Sequence, residues 1–289
     1  MKHILFLFLF FTTYVTSWDS EGHLLIANMA YRGLSSSTIR NIQQQINIYN
    51  KFYPDYSTPL SIAVWLDYIK TLNNTYYSKW HYVDIPYINN TDRRSGEILK
   101  KLSTKLKYYS FDSNNVVSII DQINTTYNKN TDPWNYGLSV RALVHLVGDI
   151  HQPFHCVTLY SSQFPKGDGG GNLYKIKYNG KTTNLHSFWD SCGGLFTSTY
   201  TYPLSNTSIA KLNNISNVLL SVYHNISYNQ TMEVNEWSKE SYLLARNFGY
   251  NTSYDVELSN EYINMTRYIC TERLVVASKR LNRMLSVLF

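Results

Sequence analysis

His145-Leu146-Val147-Gly148-Asp149-Ile150-His151-Gln152-Pro153-Phe154-His155 is the stretch that decides how this chain folds. Read back to Trp134, the residues Leu138, Arg141, Ala142, His145, Leu146 and Asp149 recur at spacings of three and four, so the pattern predicts an amphipathic helix over 134–150. Gln152-Pro153 ends it, because the residue ahead of a proline is driven out of the helical region. His145 and Asp149 leave one face of that helix a turn apart and can grip one cation. Beyond the break the chain turns, which lets His155 point back toward the helix end.

The same period predicts further helices over 23–31, closed by Gly33, over 38–48, capped by Ser37, and over 58–72, entered through Thr58-Pro59. Others follow over 98–109, 114–123, 185–191, 208–221, 233–248 and 257–288. Only between 172 and 184 does the period switch to two, around Asn179-Gly180, the mark of a β-hairpin with a primed turn. No repeat, low-complexity run or long linker divides the chain. The expected fold is therefore all-α, a single mainly helical domain with one small hairpin near 172–184.

Composition sets the outer limits. Of 289 residues, 44% are hydrophobic and 16% charged, which excludes a disordered chain. Aromatics reach 15%, 26 tyrosines among them, beside a net charge of +6. That balance suits a surface that holds phosphate backbones and stacks bases, but on composition alone a helical core packed with tyrosines is the stronger reading.

Residues 1–17 open with Lys2 and His3, run apolar from Ile4 to Phe11 and end Val15-Thr16-Ser17 ahead of Trp18, the layout of a secretory signal peptide. The expected mature domain spans 18–289 and is exported. No later segment reaches the ~20 apolar residues a membrane span needs, and no stable protein partner is expected. Glycosylation sequons at Asn73, Asn89, Asn124, Asn206, Asn214, Asn225, Asn229, Asn251 and Asn264 agree with export. Cys156, Cys192 and Cys270 allow at most one disulfide, whose pairing the sequence leaves open.

The chemistry lies in the histidines. The His-x-x-x-Asp spacing of His145 and Asp149 returns at His186 and Asp190. Upstream, Trp65-Leu66-Asp67 and Trp80-His81-Tyr82-Val83-Asp84 add another carboxylate and another imidazole, and His23 follows the expected new N terminus at Trp18. One His-x-x-x-Asp pair alone is an ordinary helix-surface ion pair. Two pairs, a histidine after a proline-broken helix and three further His or Asp positions point instead to a metal cluster. Imidazole nitrogen and carboxylate oxygen with almost no thiol suit zinc held for catalysis.

These motifs, together with Gly169-Gly170-Gly171-Asn172, Asn184-Leu185-His186-Ser187-Phe188-Trp189-Asp190 and Trp237-Ser238-Lys239-Glu240-Ser241, resemble the zinc-dependent single-strand-specific nucleases of the S1/P1 type. That family includes plant endonucleases and protozoan 3'-nucleotidase/nucleases. The resemblance implies a mostly helical fold, shared with zinc phospholipase C, and three zinc ions in one cleft. Asp67, His81, His145 and Asp149 would hold the first, His155, His186 and Asp190 the second. The third would be held by the Trp18 amine and carbonyl with His23 and the shared Asp149, which requires the leader to be cut at Trp18.

By the same resemblance, Asp67 orients the attacking water and Lys70 offsets charge at phosphorus. Zinc lowers the pKa of bound water from about 15.7 to about 7, so hydroxide is available near neutrality. Tyr82 would stack a base whose edge meets Asp84, Asn172 and the Gly170 backbone. A stacked base cannot also pair in a duplex, so the implied substrates are single-stranded DNA and RNA, cut to 5'-phosphates, and nucleoside 3'-monophosphates. Two other readings stand beside this one, a zinc-dependent phospholipase C and a non-catalytic secreted zinc-binding protein. His151 matches no ligand position and reads as a buried structural histidine, His224 as exposed, and Arg141 as either a partner of the site or a plain helix charge.

Overall fold

The computed structural model describes residues 18–89, 96–98, 100, 113–127 and 132–289. Helices α1 (Ser20–Tyr31), α2 (Ser36–Asn47), α3 (Trp65–Thr71), α4 (Val116–Thr126) and α5 (Pro133–Asp149) make up the first half. Helices α6 (Leu185–Asp190), α7 (Asn206–Val222), α8 (Val234–Leu244) and α9 (Asn260–Leu288) make up the second. Two short two-stranded sheets accompany them, β1 (Pro86–Ile88) with β2 (Thr158–Tyr160) and β3 (Lys175–Tyr178) with β4 (Lys181–Asn184). The fold is mainly helical, as the periodicity predicts.

Helix α1 is buried on all sides from Glu21 to Tyr31, and it packs against α9, α7 and α5. Its one buried carboxylate, Glu21, is satisfied by the Tyr200 hydroxyl at 2.6 Å, the Ser198 amide at 3.1 Å and Lys211 at 3.0 Å. Helix α5 starts as its sequence dictates, with Asp132 accepting from the Trp134 amide at 3.0 Å and Pro133 in the first turn. It is then packed by α2, α4 and α9 and is buried throughout from Val140 to Asp149. Gly137 is what lets α5 approach α2's exit, since a Cβ there would meet the Tyr49 ring at 2.5 Å.

Several boundaries differ from the sequence reading. Ser35, not Ser37, caps α2, accepting from the Thr38 amide at 3.1 Å. The segment expected as one helix from Thr58 is a 3-10 turn, Ser61–Val64, whose Ser61 amide donates to Thr58 Oγ1 at 3.1 Å, and only then α3. Asn115 and Ser118 form a reciprocal capping box that sets the start of α4. The helix expected over 233–248 widens after Leu244 into a π turn, Ala245–Gly249, where Gly249 presses on the Phe154 ring. Ser259 caps α9 three residues later than expected. Apart from Ile98 and Lys100, the helix expected over 98–109 lies outside the described residues.

The hairpin β3–β4 forms where alternation predicts it, and Asn179 and Gly180 both take positive φ, 52° and 72°, as a primed turn requires. The parallel pair β1–β2, with Pro86 opposite Thr158, has no sequence forecast. It sets the chain that follows His81 alongside the chain that follows His155. Among the described residues no helix is long and apolar enough to cross a membrane.

Candidate metal centre

Four segments far apart in sequence meet at the C-terminal end of α5. The i,i+4 spacing places His145 and Asp149 on one face, with His145 Nε2 3.2 Å from Asp149 Oδ2. His81 comes from a 3-10 turn, its Nδ1 2.9 Å from the same oxygen and 3.1 Å from His145 Nε2. Asp67, on α3, lies 3.8 Å from both of these nitrogens. His23, on α1, stacks on the His145 ring at 4.0 Å and reaches Asp149 Oδ1 with its Nε2 at 3.4 Å. Asp149 thus stands between three imidazoles.

A second group adjoins the first. His155 and His186 stack at 4.9 Å, and their Nε2 atoms lie 3.7 and 3.5 Å from the two oxygens of Asp190. His155 Nδ1 also lies 3.8 Å from Asp149 Oδ1. The structure therefore gathers His23, Asp67, His81, His145, Asp149, His155, His186 and Asp190 in one place, as three sets of His and Asp ligand atoms. Trp18 is beside them, its indole donating to the Gly148 carbonyl at 2.8 Å, while the Asp19 amide donates to the Asp190 carbonyl at 3.1 Å.

The imidazoles are oriented by the backbone. His145 Nδ1 donates to Ala63 O at 2.6 Å, His155 Nδ1 to His81 O at 2.6 Å and His186 Nδ1 to Gly170 O at 2.7 Å. Each bond fixes the proton on Nδ1 and turns Nε2, with its lone pair, toward the carboxylates. His155 Nε2, His186 Nε2 and Asp190 Oδ2 are buried and have no hydrogen-bond partner among the described residues. Buried polar atoms are normally satisfied. Nitrogen and oxygen lone pairs converging without protons between them fit a divalent cation with tetrahedral N/O preference.

Burial and neighbouring charges pull the groups of the cluster in opposite directions. Burial, then the neighbouring charges of His145 and of Lys70, push His23 and His81 respectively down to about 4, so both are uncharged near neutrality. Burial also lowers His155 and His186. His145 goes the other way, because Asp149 and Asp67 outweigh its burial. Burial alone would raise Asp149 and Asp67. The three histidines around Asp149, and Lys70 with the same histidines around Asp67, hold both well below the usual carboxylate range. Asp190 is driven well above that range by burial, which His186 and Gln152 do not offset.

Of the remaining site residues read from the sequence, Lys70 is buried with its Nζ 2.7 Å from Asp67 Oδ1. Tyr82 is half-buried and Asp84 exposed, in the segment ahead of β1 whose Val83 amide donates to His155 O at 2.8 Å. Gly170 is buried with φ 63°, and a Cβ there would meet the Phe154 carbonyl at 2.5 Å. Asn172 is half-buried and donates to Gly169 O at 2.8 Å. Arg141 resolves as structural, donating to the Tyr56 and Ile46 carbonyls. His151 is also structural, bonded to Val147 O and Arg280, and His224 is exposed.

Sequence reasoning missed three supports. Gln152 donates to Asp190 Oδ1 at 2.6 Å and orients it. Gly148 leaves the space that the His23 ring fills. Asp168, fully buried, accepts from the Leu159 amide at 2.9 Å and the Tyr250 hydroxyl at 2.7 Å, and so fixes the glycine loop that carries Gly170. Their sequence signals, a glycine before a ligand, a Gln-Pro and an aspartate before three glycines, acquire meaning only from their distant partners.

Comparison with known proteins agrees with this geometry. Endonuclease 1 of Arabidopsis thaliana is 26% identical over 293 residues, covering 95% of this chain and 88% of that protein. Endonuclease 4 of the same plant is 25% identical over 94% of this chain and 89% of its own length. Nuclease S1 of Aspergillus oryzae is 29% identical over 60% of this chain, a region that spans 53% of that enzyme. The S1/P1 Nuclease family model matches residues 18–289. On a match of that extent, over the whole region that holds the His and Asp cluster, the chain belongs to the S1/P1 nuclease family and is a hydrolase of phosphodiester bonds in nucleic acids.

Proposed function

We propose that this protein is a secreted, zinc-dependent nuclease that cuts single-stranded DNA and RNA to 5'-phosphonucleotides and also removes phosphate from nucleoside 3'-monophosphates. The observation that carries the reading is Asp149, a buried carboxylate set among His23, His81 and His145 beside a second buried group with unsatisfied lone pairs. Three zinc ions would be held by Asp67, His81, His145 and Asp149, by His155, His186 and Asp190, and by Trp18, His23 and Asp149. When bound they supply Lewis acidity and a water of lowered pKa.

The chain's own residues do the rest. Asp67 is held ionised by Lys70 and the surrounding histidines against the effect of its burial, so it can accept a hydrogen bond from the attacking water and aim it in line with phosphorus. Lys70, tied to Asp67 Oδ1, keeps a positive charge beside that oxygen and counters the negative charge that builds on the phosphoryl oxygens. The P–O3' bond breaks as water adds, the proton passes to O3', and the phosphate stays on the 5' side. Tyr82 would stack the base, with Asp84, Asn172 and the Gly170 backbone at its edge.

Export is supported by the family match, which begins at Trp18. It is supported too by the sequon asparagines, since Asn73, Asn124, Asn206, Asn214, Asn225, Asn229, Asn251 and Asn264 are all exposed. The test is metal analysis and hydrolysis assays on protein whose N terminus is verified as Trp18. Single-stranded DNA, RNA, nucleoside 3'-monophosphates and phosphatidylcholine would be offered in parallel. The expected result is bound zinc and nucleotide release, with phosphatidylcholine untouched and Asp67→Asn slower by about 10²- to 10⁴-fold. Absence of zinc, or full nuclease activity in Asp67→Asn, overturns the reading.

A further inference from the structure

Outside the candidate metal centre, two of the three buried cysteines converge on one backbone carbonyl. Cys192 lies in the turn that ends α6, in the left-handed region at φ 52°, with its amide donating to Trp189 O at 2.9 Å. Cys270, in the middle of α9, directs its Sγ to the same carbonyl at 3.7 Å. The Cys192 amide and the Cys270 thiol thus share one acceptor, the Trp189 carbonyl. The turn presses directly on the face of α9 that carries Cys270. A Cβ on Gly193 would meet Arg267 Cγ at 3.1 Å and Thr266 Cγ2 at 3.4 Å, and Arg267 donates to the Gly193 carbonyl at 3.0 Å. The third thiol, Cys156, is engaged elsewhere, at 3.5 Å from the Ile150 carbonyl. All three cysteines are fully buried.

We propose that Cys192 and Cys270 form a disulfide when the chain folds in an oxidising environment, and that Cys156 stays a thiol. One cysteine attacks the S–S bond of a disulfide oxidant, such as oxidised glutathione or an oxidoreductase disulfide, and expels one thiol. The other cysteine then attacks the mixed disulfide at the protein sulfur and expels the second thiol. Two S–H bonds of the protein become one S–S bond, and the two electrons and two protons leave on the reduced acceptor. The bridge ties the end of α6, which carries His186 and Asp190, to the longest helix of the fold. Closing so long a stretch of chain takes conformational freedom from the unfolded state. The sequence alone cannot choose this pair from the three possible ones.

The chemistry in the cell rests on the export proposed above, so the test has two arms. In the first, the full chain is expressed in a eukaryotic host with its own leader. In the second, reduced protein is refolded in a glutathione redox buffer, which supplies the oxidant whether or not the natural chain is exported. In each, the protein is denatured and alkylated before and after reduction, and its peptides are mapped. One labelled thiol before reduction, Cys156, and three after it are expected, with a Cys192–Cys270 peptide. Cys156→Ser should keep that peptide, Cys192→Ser should leave Cys270 free, and reduction should lower the melting temperature. Three thiols labelled without reduction in the refolded protein, or a bridge to Cys156, overturns the proposal. Bridged refolded protein beside unbridged protein from the cell would support the pair and count against export instead.

Discussion

The His23 imidazole occupies the place where a side chain on Gly148 would stand. A Cβ added to Gly148 would lie 2.8 Å from His23 Nδ1 and 2.9 Å from Cε1. Helices α1 and α5 approach this closely because one of them has no side chain at the crossing.

Gly148→Ala therefore should push His23 off Asp149 while leaving His81 and His145 in place. Metal analysis is expected to show about one zinc fewer per chain, with a stability loss of about 1–3 kcal/mol from overpacking. Unchanged metal content would show that His23 holds no ion.

Removal of metal should destabilise the fold. His155 Nε2, His186 Nε2 and Asp190 Oδ2 are buried with no hydrogen-bond partner among the described residues, so chelation exposes that cost. An ion present at a hundred to a thousand times its dissociation constant stabilises by about 3–4 kcal/mol, so calorimetry with chelator and then with added zinc should show a reversible fall in melting temperature. A melting temperature indifferent to both would mean that the cluster needs no cation.

Tyr82 should contribute through its ring rather than its hydroxyl. Stacking on one base is worth about 1–3 kcal/mol, so Tyr82→Ala is expected to raise KM for single-stranded substrates by about 5- to 150-fold, and Tyr82→Phe to leave it nearly unchanged. Steady-state kinetics on a short oligonucleotide decide it, and equal loss in both variants would rule out stacking.

Away from the site, Glu240 joins α8 to α9. Its oxygens lie 2.7 and 2.8 Å from two nitrogens of Arg280 and one of them lies 2.9 Å from Arg273. Burial alone would raise its carboxyl, but Arg280 and Arg273 hold it below its ordinary 4.5. A depressed carboxyl contributes stability that is fully present above the unfolded value and is lost as pH falls through the folded one. Glu240→Gln should thus cost about 2–4 kcal/mol at pH 7, and the gap to the parent should close below about pH 4.5 in denaturant titrations. A gap independent of pH would mean that the loss is one of packing.

The sequence alone determined what local spacing can determine. His145 with Asp149 and His186 with Asp190 stand side by side because the α-helix repeats every 3.6 residues, and Asn179-Gly180 sets a hairpin because both positions tolerate positive φ. The order of the motifs from Trp18 to Trp237 carried the family likeness. Caps were legible only to within a residue or two, since Ser35 and Ser37, or Asn114 and Asn115, offer the same hydrogen bond to the same turn. Tertiary structure decided everything that needs a distant partner. The β1–β2 pair brings His81 beside His155, Gln152 orients Asp190, Gly148 admits His23, and the turn after α6 sets Cys192 and Cys270 against the same Trp189 carbonyl. None of these has a period along the chain, because each is fixed by which surfaces pack once the helices are buried against one another.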